Sequence, residues 1–319
     1  MLLQPLFLKP VFKERIWGGT ALETQFGYDI PSNQTGECWA ISAHPNGPSL
    51  IESGPYAGMT LDKLWKKQPE LFGNPKEEVF PLLTKILDAN ADLSVQVHPE
   101  DDYAKVHENG DLGKTECWYI LDCKEDADMI FGHNAKTKEE LIQQINDGKW
   151  NDLLLRVKIK PGDFFHVPSG TIHALCEGTL VLETQQSSDT TYRVYDYDRK
   201  DNDGNLRELH LDKAIDVTTV PHQETGVTPK VEKRGNATVT TFVESEFFSV
   251  YKWVINGKAT FSSGNRYLLV SVINGDGTLI HAGERYSLKK GTHFILPVGT
   301  GEFELVGNVE FIVSHTKMP

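Results

Sequence analysis

In the segment Leu93 to Pro99, LSVQVHP, the polar residues Ser94, Gln96 and His98 stand two apart, with Leu93, Val95 and Val97 between or beside them. Successive side chains of a β-strand point to opposite faces, so the hydroxyl, the amide and the imidazole share one face and the apolar groups take the other. Gln-x-His alone is a weak signal, since an edge strand with one solvated side has the same pattern. A second stretch is far more specific. Gly162-(x5)-Pro168-x-Gly170-x-x-His173 has a chance expectation of ~0.004 in a chain of this length. Gly162 permits a tight turn into a strand over 163–167, and Pro168 and Gly170 shape the turn that aims His173 inward as a possible ligand. Lys114 and Glu116 are also two apart, so on a strand they face the same side.

These residues need a scaffold. Short runs rich in Val, Ile, Phe and Tyr, punctuated by Gly, Pro, Asn and Asp, recur along the chain and predict antiparallel β architecture. Three helices are expected as additions to it. TLDKLWKKQPELFG (60–73) has Leu61, Leu64 and Trp65 at helical spacing with Pro69 as an interruption. TKEELIQQINDG opens on a capping box of Thr137 and Glu140 and ends at Gly148. The third covers Leu206 to Thr219. Tyr192, Tyr195 and Tyr197 are read as packing residues of a strand, His44 as support for a turn and His166 as structural.

The polar stretch 222–236, HQETGVTPKVEKRGN, marks a domain boundary. Across it the sequence repeats: KPGDFFHVPSGT (160–171) aligns with KKGTHFILPVGT (289–300), Lys, Gly, an aromatic, Pro, Gly and Thr keeping their offsets. The repeat implies two related β domains, 1–235 and 236–319. In the second copy the place of His173 is taken by Glu302, so a site built on His173 would exist only in the first.

The net charge of −13 argues against non-specific nucleic-acid or anionic-membrane binding, which depends on neutralising phosphates with Lys and Arg. An anionic small substrate would need a local basic pocket. No run of about 18 apolar residues occurs and the N-terminal residues lack a signal-peptide pattern, which suggests a cytoplasmic protein without a membrane partner. The 4 cysteines form no Cys-x-x-Cys pair, so reduced, buried thiols are expected.

The Gly162 to His173 motif resembles the second motif of the cupin superfamily, whose double-stranded β-helix barrels hold a metal between inward-facing side chains. Gln96-x-His98 followed by Glu116 resembles the first. The resemblance narrows to the type I, zinc-dependent mannose-6-phosphate isomerases in their short bacterial form. It rests on RIWGG (15–19), GECWAISAHP (36–45), LSVQVHPEDD (93–102), GKTECWYIL (113–121), the His173 motif and ETQQSSDTTYRVYDYDR (183–199), six motifs in order over most of the first 235 residues.

This implies a mainly β protein of two cupin-like jelly-roll barrels, the second degenerate, with one Zn²⁺ per chain on Gln96, His98, Glu116 and His173. Two imidazoles, a carboxylate and an amide oxygen suit Zn²⁺ with positions left for water or substrate, and a single anionic ligand preserves Lewis acidity. Arg193 falls at the family's active-site arginine, and Ser94 and Lys114 at substrate-binding positions. Where longer relatives have a lysine six residues after that arginine, this chain has Arg199, able to bind an anion but not to transfer a proton. The implied reaction moves a proton between C1 and C2 of a sugar phosphate through a cis-enediol, with Glu183 as the base and Arg193 stabilising the enediolate. A monomer or weak homo-oligomer is expected. Two rivals remain: a cupin oxygenase, because two His and a carboxylate also describe an iron triad, and a non-catalytic sugar-phosphate-binding protein.

Overall fold

The computed structural model describes residues 3–200 and 204–317. The chain is mainly β, with three antiparallel sheets. A six-stranded sheet runs Phe164–Val167, Glu116–Cys123, Thr179–Gln186, Leu82–Ala89, Thr35–Ile41 and Val11–Gly19. A five-stranded sheet runs Tyr192–Tyr195, Val95–Val97, His173–Leu175, Asp128–His133 and Leu154–Lys158. The third, nine-stranded, joins the seven strands between Lys230 and Thr316 to Leu6–Lys9 and Leu50–Ile51.

The six-stranded sheet lies in the middle. Three of its strands, Thr35–Ile41, Leu82–Ala89 and Thr179–Gln186, are buried at every residue, as expected of a sheet covered on both faces. Cys38, Ile86 and Leu182 pack with Leu6, Phe248 and Ile295 from the nine-stranded sheet. Leu87 and Val181, on the opposite face, pack with Met129, Phe131 and Leu175 of the five-stranded sheet. The alternation that separates these cores also sends Glu37, Lys85 and Glu183 towards the five-stranded sheet, with no water-facing side to escape to. The outer face of the five-stranded sheet is capped by Lys138–Asn146, Trp150–Leu153 and Leu211–Val217 through Val95, Leu141, Ile145 and Ala214.

The helices are shorter than expected. The first stops at Lys67, and Pro69–Phe72 continues as a 3₁₀ turn. Thr137 caps its helix by accepting from the Glu140 N–H, but the Glu140 carboxylate accepts from Lys136 N–H instead of completing a reciprocal box. In the third only Leu211–Val217 is helical, because Leu206 bridges to Lys200 and Arg207 is drawn into an ion pair. Tyr197 lies beyond its strand at φ 59, while Tyr195 stacks on Trp150. His44 does support a turn, its Nδ1 accepting from Asn46 N–H.

The repeat is physical. Gly162 and Gly291 have φ of 94 and 87, and Gly170 and Gly299 have 82 and 84. Thr171 donates to the Pro168 carbonyl as Thr300 does to Pro297, both at 3.2 Å. Glu302 heads an exposed strand end.

Gly170 also ties together two parts of the site, because its N–H donates to the His98 carbonyl at 2.9 Å. A Cβ there would stand 2.5 Å from Thr219 Oγ1 and 2.9 Å from the Val217 carbonyl oxygen, at a positive φ. Gly170→Ala is expected to destabilise the fold by about 1–3 kcal/mol, read as a lowered denaturation midpoint. An unchanged midpoint would reject this account of the turn.

Candidate active site

The site forms where the six- and five-stranded sheets face each other. On the five-stranded sheet Gln96 is the register partner of both His173 and Arg193, so the three side chains stand in a row on one face. The opposing row, on the six-stranded sheet, is Trp39, Lys85, Glu183 and Trp118, again direct cross-strand partners. The rows meet where the Trp118 ring lies edge-on to His173, with centroids 5.2 Å apart.

The expected strand around LSVQVHP is only Val95–Val97, since Pro99 has no N–H for the ladder. Its polar face holds nonetheless. Ser94 and Gln96 line a cavity of ≈ 430 Å³, and His98, just past the strand, turns Nε2 to within 3.6 Å of Glu116 Oε2. His173 Nε2 lies 3.2 Å from Glu116 Oε1. One donor atom from each of His98, Glu116 and His173 falls within 4.8 Å of the others, and all three residues are buried.

Each imidazole is oriented from behind. His98 Nδ1 pairs with the Thr190 carbonyl at 2.9 Å and His173 Nδ1 with the Thr171 carbonyl at 2.8 Å. A carbonyl only accepts, so Nδ1 carries the proton in both rings and the Nε2 lone pairs point into the cluster. Glu116 Oε1 is buried with no hydrogen-bond partner. Two inward lone pairs and an unspent carboxylate oxygen are the donor set a divalent cation requires. Gln96 stands at its edge, its amide nitrogen 3.4 Å from His173 Nε2. Half a turn of the amide would present oxygen instead.

Lys114 joins this cluster to the cavity. Its ammonium donates to Glu116 Oε2 and lies 3.0 Å from His98 Nε2. Burial raises the Glu116 carboxyl, but the Lys114 ammonium more than offsets this and holds it well below the usual range. Burial and then Lys114 push His98 well below the usual imidazole value, keeping it neutral. Glu183 differs. Burial, then Glu116, raises it above the ordinary carboxylate value, against Lys114, Lys85 and Trp118. Trp118 Nε1 donates to its Oε2 at 2.8 Å, while Oε1 is buried and has no hydrogen-bond partner among the described residues.

Of the residues expected at a site, Ser94, Gln96, Lys114, Glu183 and Arg193 line this cavity, and His98, Glu116 and His173 lie beneath it. Arg199 is not among the residues of the cavity wall: its Nη2 donates to Asp196 and its Nη1 to the Asp92 carbonyl. Reading the sequence overlooked Arg15, Glu37, Lys85, Asp189 and Arg207, which also line it. Glu37 and Trp39 stand two apart in GECWAI, a same-face signal, and Trp39 Nε1 does donate to Glu37 at 2.5 Å. Lys85 lies inside the strand LLTKILDA, between Thr84 and Ile86, and Arg207 in a stretch read as helix.

A buried site of two imidazoles and a carboxylate, between antiparallel sheets, defines a cupin-type protein with a metal-capable centre. Residues 6–141 match the family described as "Phosphomannose isomerase type I, catalytic domain", and residues 238–316 match "Mannose-6-phosphate isomerase, cupin domain". The chain is 62% identical over 311 residues to the Bacillus subtilis protein named "Probable mannose-6-phosphate isomerase GmuF", covering 98% of this chain and 99% of that one. It is 53% identical to the mannose-6-phosphate isomerase of Streptococcus mutans, covering 98% of both. The crystal structure of the mannose 6-phosphate isomerase from Bacillus subtilis superposes with a TM-score of 0.96 at 57% identity, over 98% of this chain and 99% of that one. The chain belongs to the type I phosphomannose isomerase family and is an isomerase.

Lys85 is the shared cation of the second row, 3.7 Å from Glu183 Oε1 and 3.9 Å from Glu37 Oε2. Lys85→Met would leave two buried carboxylates short of a partner, at a cost of about 3 kcal/mol. The folded pKa of Glu183 already exceeds its unfolded value near ~4.3 and would rise further. A raised carboxyl pKa leaves stability intact below the unfolded value and removes it as pH climbs through the folded one. The loss of melting temperature should therefore be larger at pH 8 than at pH 5; equal losses at both would reject the pairing.

Proposed function

We propose that this chain interconverts mannose 6-phosphate and fructose 6-phosphate with one zinc ion per chain, held by Gln96, His98, Glu116 and His173. The observation that carries the reading is the convergence of three buried donor atoms at the base of a cavity rich in cationic side chains, in a chain with isomerase relatives along its whole length. When bound, the metal supplies positive charge that polarises the substrate's carbonyl and hydroxyl oxygens.

The protein's own groups do the rest. Glu183, with one oxygen held by Trp118 and the other unbonded, is the base that takes the proton from C2. The C2–H electrons form the C1=C2 bond of a cis-enediol, and the carbonyl π electrons move onto O1, which gains a proton. Return of the carbon-bound proton from Glu183 to C1, with loss of the O2 proton, re-forms a carbonyl at C2. Burial suits Glu183 to this exchange, because a raised pKa brings the carboxyl nearer neutral pH. Arg193 is permanently charged and balances the developing enediolate without exchanging protons. Ser94 and Lys114 orient the sugar from the cavity wall.

The fold reading behind this is two cupin-like jelly rolls, 1–235 and 236–319, of which only the first carries the site. Their connection would be tight, because Leu6–Lys9 and Lys230–Arg234 add strands to the sheet of the second.

Conversion of mannose 6-phosphate to fructose 6-phosphate should be abolished by chelation and restored by zinc. Conversion indifferent to chelators, or restored by iron and not zinc, would sink the zinc reading. Glu183→Gln should lower kcat by about 100-fold or more with metal content retained; near-normal turnover would remove Glu183 from the base role.

A further inference from the structure

Besides the cluster around Glu116, the cavity wall carries three arginines: Arg15, which is paired with Glu37, and Arg193 and Arg207. Arg207 grips Asp196 as a fork, Nε donating to Oδ2 at 2.7 Å and Nη2 to Oδ1 at 2.5 Å. Both bonds use one edge of the planar group, so its remaining N–H donors are unspent on Asp196. Arg199 reaches the same carboxylate through Nη2 at 2.7 Å and gives Nη1 to the Asp92 carbonyl at 2.6 Å.

Among the described residues, Asp196 is the ion-pair partner of both Arg199 and Arg207. Arg193 Nη1 donates to the backbone carbonyl of Glu208, a neutral acceptor, and its buried Nε has no hydrogen-bond partner. The Glu208 carboxylate is 83% exposed and faces His210. Burial, then the neighbouring Arg207, pulls the Arg193 pKa down, as closely placed like charges do. Two guanidiniums thus share one buried carboxylate, with the third, Arg193, beside them on a neutral acceptor, and Arg193 and Arg207 line the cavity. A phosphate group complements that arrangement, since its oxygens accept from planar paired donors better than from a point charge.

We propose that Arg207, oriented by Asp196, seats the phosphate of the substrate with Arg193 beside it, and that Arg199 is a brace on Asp196. The inference rests on the sugar-phosphate reading above and moves the anion-binding role from Arg199 to Arg207. Asp196 is the positioning residue: gripped from two sides, it holds Arg207 in a single orientation before substrate arrives, which lowers the ordering cost of binding.

The probes are mannose 6-phosphate as substrate and inorganic phosphate as competitive inhibitor. Arg207→Ala should raise KM for the first and Ki for the second together, by about 10- to 100-fold, with a smaller fall in kcat and unchanged metal content. Arg207→Lys keeps the charge but loses the fork, and should fall between parent and alanine variant; it carries the test if the alanine variant does not fold. Parental KM and Ki in both Arg207 variants would overturn the proposal, as would Arg199→Ala raising both constants where Arg207→Ala does not. If the parent fails to convert mannose 6-phosphate but binds phosphate by calorimetry, and Arg207→Ala abolishes that binding, the isomerase reading falls and the anion site stands.

Discussion

The constraint on which the site depends is the complete burial of the Glu116 carboxylate. An ionised carboxylate away from water costs several kcal/mol unless charge and hydrogen bonds surround it. Here the Lys114 ammonium does so at Oε2, while the rings of His98 and His173, each from a different strand or turn, hold Nε2 lone pairs towards the same carboxylate. The same problem is solved one row along the middle sheet. Glu183 lies between Trp118 and Lys85, and Glu37 takes Arg15 at 2.6 Å, Trp39 and Lys85. Charges therefore alternate across a sheet that is covered on both faces, and each one depends on its neighbour.

Such a network has its value in pre-organisation. The cross-strand register that places Gln96 beside His173 and Arg193 cannot slip by one residue without turning every polar group into the apolar core. The backbone carbonyls of Thr190 and Thr171 fix the imidazole tautomers from outside the cluster. The two carboxylates come out different for a physical reason. Glu116 touches the Lys114 ammonium and stays ionised, whereas Glu183 has one indole and a more distant lysine and is pushed towards neutrality. Two buried acids with opposite shifts therefore stand close together, Glu183 on the cavity wall and Glu116 beneath it.

Period-two spacing made part of this legible in the sequence. The polar face of LSVQVHP and the turn before His173 followed from strand geometry and from the conformations that only glycine and proline supply, and both are present in the fold. The cluster of Glu37, Lys85 and Glu183 was hidden because it exists only once three separate strands are side by side, a relation no local window contains. Arg207 was hidden for the opposite reason. Its stretch has respectable helical spacing, and the helix gives way there to an ion pair with Asp196, a tertiary contact that outweighs a weak local preference. The offset of Arg199 from Arg193 carries no sign of the Asp196 carboxylate and the Asp92 carbonyl that its guanidinium meets.

The internal repeat separates what the turn does for the fold from what it does for the site. Gly162 and Gly291 take the same left-handed conformation, as do Gly170 and Gly299, and the same carbonyls accept the same hydrogen bonds. In the second copy the strand that follows begins with an exposed Glu302, and the interior is filled by Trp253, Phe261 and Phe303 stacked together. The turn therefore persists without the imidazole, as a way of reversing a strand and closing an apolar core. His173 occupies a position the architecture supplies in both halves. Among the described residues, it is in the first half that the neighbouring strands bring a carboxylate, a second imidazole and an ammonium to meet it.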